Sequence, residues 1–201
     1  MSGARRARRG WFRKNGAAFA TLVLAIPLAG WWTTRSDYKS WYDNEPRDPV
    51  NVAAGGTSYN GATWYAASLE ENPQPSKDGL PDELPEGTTR IRVYFRLKID
   101  KASALEGLGG CQIHLRAPDG RVWDETAVAD AYQDRPTGCT GGYDDKPQSF
   151  RGPLAQYYVK PTPGKPFETV AVFVVPKSVA GSVQPTITWA TKLPQYLAFQ
   201  R

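Results

Sequence analysis

The sequence predicts an all-β fold, an antiparallel β-sandwich, preceded by a single N-terminal transmembrane helix. Three observations predict it. Twenty consecutive residues, Asn15 to Thr34, carry no charge. From Thr88 to Ile99 apolar and polar side chains alternate without a break. No segment after residue 35 shows a long apolar stripe at the 3.6-residue period of a helix. The chain of 201 residues then divides into a basic cytoplasmic tail (1–14), a transmembrane helix (15–34), a polar linker (35–56) and an extracytoplasmic domain (57–201).

The N-terminal segment follows from length and charge. At 1.5 Å per residue its uncharged stretch makes roughly 30 Å of helix, about one hydrocarbon core. Arg5, Arg6, Arg8, Arg9, Arg13 and Lys14 precede it, which holds the N-terminus in the cytoplasm, and Trp31 and Trp32 suit the opposite interface. Pro27 is compatible with a membrane helix. The competing reading is a cleaved export signal, because Arg8-Arg9 and the apolar run resemble a twin-arginine leader. The residues that would flank a cut, Pro27 before Ala29 or Leu28 before Gly30, do not suit cleavage. Either reading exports the domain.

The charge balance says what the domain is not. The formal charge of +5 comes from 25 basic and 20 acidic residues. Seven of the basic ones and none of the acidic ones precede Asp37, so the remainder is mildly acidic. Phosphate recognition needs a clustered positive surface, and nucleic-acid binding is therefore not expected.

The strands are justified one by one. In Thr88 to Ile99 the residues Ile91, Val93, Phe95, Leu97 and Ile99 form one face and Arg90, Arg92, Tyr94, Arg96 and Lys98 the other, the period of a half-buried strand. Cys111, Ile113 and Leu115 alternate with Gln112, His114 and Arg116. Pro118-Asp119-Gly120 then turns the chain into Arg121 to Asp124, a hairpin. Ala62 to Leu69, Leu154 to Val159, Phe167 to Val175, Val183 to Trp189 and Tyr196 to Phe199 complete the set. Most prolines lie between these runs. Seven or eight short strands in about 145 residues make an immunoglobulin-like sandwich, with a small barrel as the alternative.

Reactive groups are scarce. The two cysteines, Cys111 and Cys139, are expected to form a disulfide in an oxidising exterior, tethering the polar loop from about Asp130 to Pro153. His114 is the single histidine, and alternation places it on an outer strand face, so a catalytic role is not expected. One histidine and two bridged cysteines cannot build a usual zinc site. Asp134, Asp144 and Asp145 could supply oxygen to calcium, but their spacing matches no known loop, and a solvated acidic loop is expected. No cofactor is implied: Gly107-Leu108-Gly109-Gly110 has neither the lysine nor the helix of a phosphate loop.

Two surface features could bind a partner. One is a basic row of Arg90, Arg92, Arg96 and Lys98, extended by Arg116 across the sheet, facing anionic headgroups or wall polymers. The other is aromatic: Trp64-Tyr65 and Tyr157-Tyr158 each place one ring outward if they lie in strands.

Gly56 to Trp64, Pro85-Glu86-Gly87-Thr88, Gly110-Cys111, Asp119-Gly120-Arg121-Val122-Trp123, Gly138-Cys139 and Phe173-Val174-Val175-Pro176 together resemble uncharacterised actinobacterial membrane-anchored proteins. Their exported domain is similar to the telokin-like immunoglobulin sandwich. The resemblance spans Gly56 to Phe199 and implies a fold and a cell-membrane address; it brings no catalytic residue. The expected role is non-catalytic: binding or scaffolding of an envelope protein or wall polymer. A carbohydrate-binding module and an exported hydrolase built on separated carboxylates are the alternatives.

Overall fold

The computed structural model describes residues 4–73, 84–126, 136–140 and 161–201. The chain divides into two units at the Glu45–Pro46 boundary. The first is a helix, α1 (Ala4–Asp43). Its stretch from Asn15 has a window of mean hydropathy 1.5 and is long and apolar enough to cross a membrane. Leu22, Val23, Leu24, Ile26 and Leu28 all stand exposed along it. The hydroxyls of Thr21 and Thr33 donate to the carbonyls of Ala17 (2.9 Å) and Ala29 (3.0 Å), so neither polar group is left open in an apolar run.

The expected linker over 35–56 is corrected here. The helix continues to Asp43, and a strand, β1 (Asp48–Val52), forms within the remainder. Tyr38 meets Trp41 (5.6 Å between ring centroids) and Tyr42 (6.2 Å) at the i+3 and i+4 positions, contacts that favour helix. The Asn44 side-chain amide closes the helix end on the Ser40 carbonyl at 2.7 Å. β1 takes its order from a partner near the other end of the chain, which no local pattern shows.

The second unit continues with β2 (Thr57–Tyr59), β3 (Ala62–Trp64), β4 (Ser68–Glu71), β5 (Thr88–Ile99), α2 (Ala104–Leu108), β6 (Cys111–Arg116), β7 (Val122–Asp124), β8 (Pro166–Pro176), α3 (Lys177–Ala180), β9 (Gln184–Trp189) and β10 (Gln195–Phe199). The first sheet runs β1-β10-β9-β6-β7; the second centres on β5, with β3 and β4 on one edge, β2 beyond β3, and β8 along the other edge. The architecture is a β-sandwich. It is not wholly antiparallel, because β1 pairs parallel with β10. Pro49 has no N–H to donate and is tolerated because β1 is an edge strand among the described residues. The hairpin of β6 and β7 sets Leu115 against Trp123, as the turn residues imply. The strand expected at Leu154 to Val159 lies outside the described residues.

Asn60-Gly61 joins β2 to β3 with both φ angles positive, 51° and 79°. This is the two-residue turn that matches strand twist. Gly61 is doubly required, since an added Cβ would stand 2.6 Å from Ala104 Cβ.

The alternation of β5 dictates the core. Ile91, Val93, Phe95, Leu97 and Ile99 are all fully buried. Trp64 and Phe95 of the second sheet meet Trp189 and Phe199 of the first: Phe95–Phe199 at 5.0 Å, Trp64–Trp189 at 5.7 Å and Trp64–Phe199 at 6.3 Å. These tilted contacts are the favoured aromatic geometry. The two indole N–H groups are satisfied, donating to the carbonyls of Tyr59 and Leu108, each at 3.1 Å.

The sulfurs of Cys111 and Cys139 lie at bonding distance, 2.09 Å. Cys111 opens β6, while Cys139 follows Thr137, which bridges to Val170 of β8. The bridge thus fastens a segment along the β8 edge to the opposite sheet. Replacing Phe95 with Ala should destabilise the full chain by about 3–5 kcal/mol, read as a lowered midpoint in denaturant; an unchanged midpoint would remove Phe95 from the inter-sheet contact.

Candidate functional site

The register along β5 carries a one-residue slip. Trp64 pairs with Leu97, whereas Ser68 pairs with Tyr94. Three residues, Tyr65, Ala66 and Ala67, therefore face two, Phe95 and Arg96, and the extra residue is a β-bulge. The bulge switches the alternation: Trp64 points inward and Leu69, five residues on, also packs against the core. Without the slip these two would face opposite sides of the sheet. The expected single strand from Ala62 to Leu69 is thus two strands on one β5 edge.

Where the backbone bulges, the outer face of the second sheet is hollowed. A depression of about 330 Å³ is lined by Ala66, Ser68, Tyr94, Phe95, Arg96 and Glu168. Ala66 and Ser68 are small, which leaves the space open. Arg96 is exposed, its guanidinium lies 5.8 Å from the Tyr65 ring centre, and Glu168 stands opposite it on β8. One strand step away, the Tyr94 hydroxyl donates to Glu70 at 3.2 Å, and Arg92 approaches the same carboxylate oxygen at 3.6 Å. Burial, then the charge of Glu70, hold the Tyr94 phenol above its usual 10, while Arg92 acts in the opposite direction.

This placement corrects the basic row. Arg90 points outward by alternation yet is buried, covered by the chain at Pro73, whose carbonyl it meets at 3.4 Å. Arg92 is only 12% exposed and engaged with Glu70. Lys98 is half-buried between Thr63 and Pro166 in the register. Arg116 does not extend the row, because β6 belongs to the other sheet; there it reaches the Pro46 carbonyl at 3.4 Å and lies over the Tyr196 ring. Cross-strand pairing sets a carboxylate against two of these cations, Glu70 against Arg92 and Glu168 opposite Arg96, while Arg90 is covered by the chain. The aromatic expectation divides too. Trp64 is fully buried in the core and Tyr65 is the outward ring of that pair. Tyr157 and Tyr158 lie outside the described residues, as do Asp134, Asp144 and Asp145.

A second cluster crosses the outer face of the first sheet. His114 Nδ1 lies 2.9 Å from Asp124 Oδ1, and its Nε2 lies 3.4 Å from the Thr188 hydroxyl. Acid, imidazole and hydroxyl follow the order of a nucleophile relay. Thr188 is only 6% exposed, and its hydroxyl also reaches the Gln112 carbonyl at 3.5 Å, so the line acts as a brace across β7, β6 and β9. Its hairpin register was readable from Pro118-Asp119-Gly120; the partner on β9 was not. Among the described residues, no group of three or more His, Cys, Asp or Glu converges as metal ligands do.

Nothing in the sequence marks Ser68, Glu70, Tyr94 and Glu168 as site residues. Their meeting depends on the bulge, and Tyr65-Ala66-Ala67 carries no glycine to announce one.

The sequence matches no protein-family model and no curated protein. Among solved structures, an uncharacterized β-sandwich protein from Clostridium difficile 630 is similar at 13% identity and a TM-score of 0.41, over 77% of this chain and 95% of that one. The two-sheet architecture stands on the pairing described above.

Because the raised Tyr94 value favours the neutral phenol in the folded chain, its contribution to stability is whole below pH 10 and falls as pH rises through the folded value. Tyr94→Phe should make this alkaline loss shallower in denaturant unfolding measured on either side of pH 10. An identical slope in both proteins would show that Tyr94 titrates as an ordinary surface phenol.

Proposed function

We propose that this chain is a single-pass membrane protein with its N-terminus in the cytoplasm. Its immunoglobulin-like sandwich works outside the membrane as a non-catalytic module that binds or scaffolds another cell-envelope component. The anchor reading is supported by the uncharged stretch of α1, its arginine-rich start and Trp31 and Trp32 at its far end. The immunoglobulin-like reading rests on two packed sheets whose first strand lies parallel to the last.

One observation carries the binding role: the bulge beside β5 opens a depression on a sheet face, with Arg96, Ser68 and Glu168 among its lining residues. Sites built on strands hold their side chains more firmly than sites on loops. The Asp124–His114–Thr188 line does not favour a hydrolase, since its hydroxyl is withdrawn from solvent.

A photo-reactive amino acid placed at Ser68 of the full chain, in living cells, should give discrete adducts with an envelope component. The same group at Val122, exposed on the edge of the first sheet, should not. Adducts at neither position, or equally at both, would contradict a binding role for this face.

A further inference from the structure

We infer that the depression beside the bulge receives a neutral, hydroxyl-rich sugar unit of an exported polysaccharide. This deepens the binding role proposed above and rests on it.

The first argument is charge. Among the described residues the lining holds one cation, Arg96, and one anion, Glu168, at opposed register positions of paired strands. The neighbouring Arg92 and Glu70 likewise stand together. A site with compensated charge has no net attraction for a polyanion or a polycation. It does offer donors and acceptors side by side: the planar guanidinium donates, the carboxylate accepts, and the Ser68 hydroxyl does both. Adjacent hydroxyls on a sugar ring require that mixture.

The second argument is shape. At about 330 Å³ the depression sits at the low end of ligand pockets, about 300–1,000 Å³, so it holds one ring rather than a length of chain. Ala66 and the Tyr94 ring supply apolar surface beside the polar rim, suited to the C–H face of a pyranose.

The third argument separates a sugar from a peptide. An extended peptide binds a sheet by pairing with an open edge. Here the floor is a sheet face, and both edges of β5 are already paired, with β3 and β4 on one side and β8 on the other.

The test uses the full chain in lipid nanodiscs and, as probes, neutral hexasaccharides of glucose, mannose, galactose, arabinose and N-acetylglucosamine. Dextran sulfate serves as an anionic probe. At least one neutral probe should bind, with an affinity changing less than about twofold between about 50 and about 500 mM salt. Ser68→Trp, which fills the depression, and Arg96→Gln, which removes the planar donor while keeping an amide, should each weaken it about tenfold or more. Val122→Trp should leave it unchanged. The inference is overturned if no neutral probe binds, if only dextran sulfate binds and does so less at high salt, or if both Ser68→Trp and Arg96→Gln bind like the parent chain. A negative sugar result with protein adducts at Ser68 would overturn the ligand class and leave the binding module standing; no adducts there would remove the module itself.

Discussion

Strand β5 is asked to pair along both edges at once, and the mismatch on one of them shapes the rest of the outer face. β8 follows it in unbroken register from Thr88 to Lys98. The other edge is shared by two short strands that differ by one residue in register. The inward face of β5 is filled by side chains that meet the opposite sheet, so the strand cannot rotate or slide to absorb the difference. The extra residue is pushed out as a bulge at Tyr65 to Ala67, and a hollow opens where a flat sheet would have been. Core packing, with Trp64 and Phe95 against Trp189 and Phe199, therefore sets the surface geometry as well as the stability.

The same strand shows what can be read in a sequence and what cannot. Its limits and its two faces are plain from Thr88 to Ile99, because a period of two with one face buried has a single solution. The β6–β7 hairpin is equally legible, as local turn chemistry fixes its register. β1 is not legible, since the strand it pairs with lies near the far end of the chain and Pro49 disguises it. Nor is the end of α1, where polar residues break the hydropathy pattern while aromatic contacts between Tyr38, Trp41 and Tyr42 continue along the helix.

The candidate site was half visible. The outward cations were found from alternation alone, but alternation does not reveal what lies opposite each one. Glu70 faces Arg92, Glu168 faces Arg96, and Pro73 covers Arg90. These partners are distant in sequence and change the meaning of the row. What reads as a basic strip for anionic surfaces becomes a face on which carboxylates stand among the cations. That change moves the proposed ligand from charged headgroups toward neutral hydroxyls.

A module that binds envelope material must present this hollow outside the membrane, and a single thiol reports that directly. Ser68→Cys in the otherwise unaltered full chain places an exposed sulfur on the rim of the depression, while Cys111 and Cys139 occupy each other. A membrane-impermeant maleimide should label it in intact cells as completely as after lysis. Labelling only once the cells are opened would contradict both the orientation of the chain and the binding role built on it.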